Sequence, residues 1–280
     1  MKLTIQLNQN YGFSQGRLTQ SPKGMLQWFP QKEWRSEFIN ASILGCSFIE
    51  LLIERKHNPN NPIWSKSGRQ EIIEVIEKSG LVSYSICLDY IIDHSILIDP
   101  KNKTFQYVID SLLVASELDC KILVLPLLEA SDLNIENLKT LVPVLREIGL
   151  LAADKNITIC VECMLPADDL NNFLGLIDLV NVKAVFDTGN RVLHTPNLGK
   201  EILKLNNNIG HVHIKDKDRL DNNVILGSGM VNFSEVFKAL KKIYYQGSLN
   251  FETNRGSVPI NTAKFNITLC EFFNSNSIND

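Results

Sequence analysis

Residues 157–165, ITICVECML, end an apolar run on a lone acid, Glu162, and three later stretches repeat the pattern. VKAVFDTGN (182–190) ends its run on Asp187, IGHVHIKDKD (209–218) on His213, and GSLNFETNRG (247–256) on Glu252. Each of these side chains follows β-branched or apolar residues and precedes a loop rich in Gly, Pro, Asn or Asp. Three carboxylates and an imidazole converging on one rim would make a site for one divalent cation. That pattern points to metal-assisted chemistry on a hydroxylated small molecule.

Working outward, the same strand-like grammar recurs along the chain. Strands are expected at 3–7, 48–53, 82–88, 122–125, 157–164, 182–186, 209–214 and 248–251. Most are near-continuous apolar runs, as parallel strands covered on both faces require. Amphipathic segments lie between them. Phe105, Val108, Ile109, Leu112 and Leu113 recur at helical spacing, as do Phe233, Val236, Phe237, Leu240 and Ile243. Asn232 followed by Glu235 reads as a helix start. Gly45, Gly80 and Gly247 fall where a left-handed residue would close a helix.

Eight strand–helix units predict an α/β fold, a single (β/α)8 barrel spanning residues 1–280. The alternative, a doubly wound open sheet, is expected to carry a G-x-G-x-x-G turn after its first strand. The segment NYGFSQGRLTQSPKGMLQWFPQKEW (10–34) has none and reads as a loop. In such a barrel the chemistry sits at the C-terminal ends of the strands. Glu162, Asp187, His213 and Glu252 all fall there, on strands five to eight.

Composition narrows the field further. A chain of 280 residues, 44% hydrophobic, can bury a large core. A net charge of −3 gives no basic surface for nucleic acid. No apolar run is long enough to span a membrane, and the start, MKLTIQLNQ, reads as a strand and not a leader. A reduced, cytoplasmic protein is expected, its six cysteines serving as small core residues. Cys160 and Cys163 match C-x-x-C, but residues three apart on a strand point to opposite faces. The tail NSNSIND (274–280) is expected to fray.

GCSFIELLIE (45–54), VECMLP (161–166), VFDTGN (185–190), HVHIKD (211–216) with LGSGMVNF (226–233), and NFETNRG (250–256) together resemble the xylose isomerase-like TIM-barrel family, nearest its ketose 3-epimerase branch. The resemblance implies one divalent ion, Mn²⁺, Mg²⁺ or Co²⁺ with Zn²⁺ as an alternative, held by Glu162, Asp187, His213 and Glu252. It implies epimerisation or isomerisation of a ketose or ketose phosphate by α-proton abstraction through a metal-stabilised enediolate. Glu162 and Glu252 would exchange the proton. The H-x-K-D pattern assigns the ligand to His213, and His211 would lie one layer deeper, orienting a ligand or packing in the floor.

Lys215 shares the inward face of His213 and would contact substrate oxygens or pair with a ligand carboxylate; a solvent-reaching lysine is the other reading. Arg219 matches the family's substrate-binding arginine. Arg17 and Arg255 follow strands one and eight and could join it around a phosphate, or be solvent arginines. Glu50, or Glu54 on the same face, would take sugar hydroxyls. Trp28, Phe29 and Trp64 would form a wall or lid, pack internally, or mark a homo-oligomer surface.

Three rivals stand beside this reading. A dehydratase of a polyol ketone could use the same site, and a barrel could bind sugar without turnover. The related apurinic endonucleases need three metals and more histidines; this chain has five histidines in all and Asn190 where their strand-six motif carries one.

Overall fold

Eight parallel strands close into a barrel in the order β1 (Asn10–Ser14), β2 (Phe48–Ile53), β3 (Ser85–Leu88), β4 (Ile122–Pro126), β5 (Thr158–Glu162), β6 (Val182–Asp187), β7 (Ile209–Ile214) and a last strand, Ser248–Phe251, which pairs with β7 and β1. The short antiparallel pair β8 (Asp216–Lys217) and β9 (Asn223–Val224) intervenes in sequence, so the closing strand is β10. The coordinates are a computed structural model that describes residues 10–22, 25–97 and 103–276.

The strand expected at 3–7 lies outside the described residues. The barrel's first strand is instead Asn10–Ser14, inside a segment read as loop. Its Asn, Gly and Ser disguise a period of two. Tyr11 and Phe13 face outward, Phe13 stacked on Phe251 with ring centroids 4.8 Å apart. Gly12 faces inward, where a β-carbon would fall 2.3 Å from the Phe48 ring. The other seven strands lie where expected, with ends shifted by up to three residues.

Helices cover the outside. In Lys103–Glu117 the expected stripe buries Phe105, Val108 and Leu112, while Leu113 is exposed. Phe233–Lys242 buries Phe233, Val236, Phe237 and Leu240. Its Asn232 side chain accepts the Glu235 N–H at 3.3 Å, the expected cap. Gly45 and Gly80 adopt φ of 78° and 68°, but Gly247 is not left-handed. Tyr244 takes that conformation, at φ 55°, because the helix closes three residues earlier. Asn274–Asn276 continue the helix Pro259–Asn276 instead of fraying, and 277–280 lie outside the described residues.

The barrel interior is layered. Phe48 and Tyr84 fill the floor, with centroids 4.6 Å apart. Cys87, Val124, Cys160 and Val185 make an apolar plug. Cys163 belongs to the outer core, so the two sulfurs of C-x-x-C diverge as expected, and both thiols are free. The plug seals the barrel, so charged side chains gather at the rim above it. An irregularity in β6 between Ala184 and Val185 shifts its pairing with β7 and brings Asp187 into register with His213. Among the described residues no helix is long and apolar enough to cross a membrane.

Candidate metal centre

His213 stands beside all three of the carboxylates expected with it. His213 Nδ1 lies 3.7 Å from a Glu162 oxygen, 3.9 Å from Asp187 Oδ2 and 3.6 Å from Glu252 Oε2. Glu162, Asp187, His213 and Glu252 are all buried. Two ligands each about 2.1 Å from one ion can be at most about 4.2 Å apart; Glu162, Asp187 and His213 form one mutually close ligand group, and Glu252 approaches His213 without belonging to it.

His213 Nε2 lies 3.0 Å from Glu50 Oε1, a carboxylate that can only accept. The opposite edge of the ring, Nδ1, faces the three rim carboxylates. Both ring nitrogens of His213 and Asp187 Oδ2 are buried without a hydrogen-bond partner, although Lys215 Nζ stands 2.9 Å from that oxygen. Three carboxylates crowded on one buried imidazole call for positive charge among them, which Lys215 and a divalent ion could each supply. The donor set, three hard oxygens and one imidazole, fits a divalent ion.

Each candidate ligand is steadied from behind. Glu162 accepts the Asn190 amide at 2.6 Å. Asp187 caps the turn Thr188–Val192 by accepting the Asn190 N–H at 2.8 Å. Thus Asn190, noted in the sequence for the histidine it replaces, holds two candidate ligands. Glu252 accepts from Gln27 at 2.8 Å and Arg17 at 3.2 Å through one oxygen. Its other oxygen is 2.7 Å from Lys215 Nζ.

Lys215 also reaches Asp187 Oδ2 at 2.9 Å. An ammonium therefore already bridges two of the four carboxyl and imidazole groups. Gly189 makes room for it, since a β-carbon there would fall 2.4 Å from Lys215 Cγ. Thr188 accepts the Lys215 N–H and donates to its carbonyl.

These charges move one another's protonation. Burial, then Asp187, pushes the Glu162 carboxyl up to about 8. Burial also works against ionisation of Glu252, but Lys215, His213 and Arg17 outweigh it and hold that carboxyl well below its usual range. For His213, burial disfavours the cation, yet Glu50, Glu252 and Glu162 hold the ring well above an ordinary imidazole.

The other expected contacts are distributed differently. Glu50 sits beneath the rim with no face toward the mouth. It takes His211 Nε2 at 2.9 Å, His213 at 3.0 Å and the Asn250 amide at 2.8 Å. His211 is fully buried, with Nδ1 2.5 Å from Ser248 Oγ. Glu54 accepts from Asn58 and Asn61 and ties down the loop after β2. Arg17 is buried and also donates to the Thr253 carbonyl.

Arg255 donates to the carbonyls of Gly16 and Met25, clamping the loop that follows β1. Arg219 is exposed in the turn between β8 and β9. Phe29 is buried, and Trp64 packs on Tyr107 with centroids 5.0 Å apart.

Sequence reasoning missed Glu37, Gln27, Asn250 and Asp216. Glu37 is fully buried and accepts from Gly16, Leu18 and Thr19, which fixes the loop carrying Arg17. Asp216 accepts the N–H groups of Gly227, Gly229 and Val231 at 2.9–3.0 Å. That explains why HVHIKD and LGSGMVNF occur together. Spacing could have flagged Asp216, but Glu37 carries no local signal.

The molecule is thus a closed parallel barrel with a candidate cation centre at the C-terminal rim. A profile of the family described as xylose isomerase-like TIM barrel matches residues 38–268, and the chain belongs to that family. A curated L-ribulose 3-epimerase of Methylomonas sp. (strain DH-1) is 31% identical over 147 residues, covering 50% of this chain and 49% of the relative. The match therefore spans about half the length of that protein.

A crystal structure of D-allulose 3-epimerase from Methylomonas sp. superposes with a TM-score of 0.73 at 16% identity, covering 95% of this chain and 98% of that one. The IOLI protein, solved with a binding zinc atom, gives 0.71 at 14% identity over 96% and 98%. At such identities the superpositions speak for the fold.

Proposed function

We propose that the protein is a divalent-metal-dependent epimerase or isomerase of a ketose. The observation that carries this is the placing of three carboxylate oxygens 3.6–3.9 Å from His213 Nδ1. Support comes from the ketose 3-epimerase relatives, one by sequence and one by fold. Glu162, Asp187, His213 and Glu252 would hold the ion. When bound it would supply Lewis-acid polarisation of a substrate carbonyl.

The chain's own residues do the rest. Glu162 on β5 and Glu252 just past β10 flank Asp187 and His213 from either side. Placed so, one carboxylate takes the proton from the carbon beside the carbonyl and the other returns one to the opposite face. Arg17, Gln27 and Lys215 favour Glu252 as the ionised partner, while Asn190 orients Glu162. Glu50 and His211 keep the His213 ring fixed, as hydrogen-bonded groups behind metal ligands do. Lys215 and Arg219 would contact substrate oxygens.

Incubation with ketoses and Mn²⁺ in D₂O tests the reading. Deuterium at the carbon next to the carbonyl, with an epimer formed, is the expected result. Loss of water from the sugar would assign the site to dehydration. No exchange with any ketose and no affinity for divalent ions would overturn the proposal.

A further inference from the structure

Asp89 follows the last residue of β3 at the C-terminal rim. Cys87, two residues earlier, points into the barrel plug. Residues two apart on a strand share a face, and Cys87 Sγ donates to Asp89 Oδ1 at 3.3 Å, which holds the carboxyl over the interior. Asp89 is 2% exposed. Its Oδ2 has no hydrogen-bond partner among the described residues. Although it precedes the helical turn Tyr90–Asp93, its side chain makes no cap bond there. Its backbone N–H is satisfied by the Ile53 carbonyl.

The side chain therefore braces nothing that a weak thiol contact would not explain. Buried carboxyl oxygens are normally paired, and an open one is costly. The charged groups acting on Asp89 are Glu252, Arg17 and Glu50, all of the site at or just below the rim. In the ring of strands β3 stands opposite β7, so Asp89 faces the mouth from the side across from His213 and Lys215.

We propose that Asp89 is a specificity-determining residue that accepts a hydrogen bond from a substrate hydroxyl on the side of the sugar remote from the candidate metal ligands. The proposal rests on the ketose reading and deepens it. A phosphate or carboxylate placed there would meet Asp89 with Glu252 and Glu50 behind it, so a neutral hydroxyl is the group that fits. The substrate class is a polyhydroxy ketone whose β3-facing end carries no anion.

The test compares wild type, Asp89→Ala and Asp89→Asn, each loaded with Mn²⁺, by calorimetric titration and turnover with D-allulose, L-ribulose and a set of monodeoxy ketoses. Wild type should bind one monodeoxy sugar about tenfold more weakly than its parent, the loss of one hydrogen bond to a charged group. Asp89→Ala should bind the parent about tenfold more weakly and lose that discrimination, with a melting temperature no lower than wild type. A purely structural role would lower the melting temperature and leave the discrimination intact. Asp89→Asn serves as the variant that keeps shape if alanine fails to fold; it should alter the preference among the sugars.

Equal binding and equal discrimination in wild type and the variants would overturn the Asp89 assignment and leave the ketose reading standing. Binding without turnover, weakened at Asp89→Ala, would uphold Asp89 and overturn the catalytic reading. Failure of wild type to bind any of these ketoses would overturn both.

Discussion

The two halves of the barrel rim share one backbone geometry and differ almost wholly in what points inward. From β5 through β10 the rim presents Glu162, Asp187, His213, Lys215 and Glu252, each touching at least one other charged group. From β2 to β4 it presents Leu52, Asp89 and Pro126 over an apolar plug. The charged arc is crowded and mutually compensated, and the quiet arc holds a single carboxyl with an open oxygen. The contrast teaches that burial of charge here follows partners more than depth: the same layer tolerates five ionisable groups on one side because they answer one another.

The largest expected break in that contrast is Glu252→Gln. Exchange of substrate protons in D₂O should fall by at least about a hundredfold while the circular dichroism spectrum stays native, since general acid–base groups contribute on that scale. Unchanged exchange would remove Glu252 from the chemistry.

Next in size is the metal linkage. Mn²⁺ at a hundred times its dissociation constant should stabilise wild type by about 2.7 kcal/mol, read as a rise in melting temperature. Asp187→Asn should show little of that rise. A full rise in the variant would mean that the ion binds elsewhere.

The Asp89 carboxyl supplies a pH test of the quiet arc. Burial, then Glu252, pushes it from 3.8 up to about 7. Below its unfolded pKa the group is protonated in both states and costs nothing. As pH rises toward 7 the unfolded chain ionises first, so the native state loses stability, and the full cost is present above pH 7. Asp89→Asn should therefore gain on wild type between pH 4 and 8, by about 2–4 kcal/mol at the top of the range. Urea titrations at several pH values would show it; a flat difference would mean that the carboxyl ionises freely in the fold.

Smaller still is Lys215→Met. Removing an ammonium from Asp187 and Glu252 should tighten Mn²⁺ binding by about tenfold, roughly 1.4 kcal/mol, while slowing turnover. Weaker metal binding would mean that Lys215 organises the ligands more than it competes for them.

The smallest effect is expected on the outer edge of the quiet arc. Arg55 pairs with Asp93 and Glu129 where all three are exposed. Arg55→Gln should cost no more than about 1 kcal/mol and leave turnover unchanged. A large loss of activity would show that this edge takes part in closing the site.

What could be read from the chain alone was the set of features governed by near neighbours. Period-two and helical patterns specify seven of the eight barrel strands and the barrel class, because side-chain direction alternates locally and apolar faces must be buried. The same patterns put Glu162, Asp187, His213 and Glu252 at strand ends. The first barrel strand escaped because Gly12 is small for the sake of Phe48, 36 positions away.

Tertiary structure alone decided the rest. Glu50 turned out to brace two imidazoles, Arg17 and Lys215 to hold Glu252, and Asn190 to tie Glu162 to Asp187. Closing the barrel brings β1 against β10 and β2 within reach of β7, so partners more than two hundred residues apart come within hydrogen-bond distance. A charge's role depends on which opposite charge or donor it meets, and that distance exists only once the ring is closed.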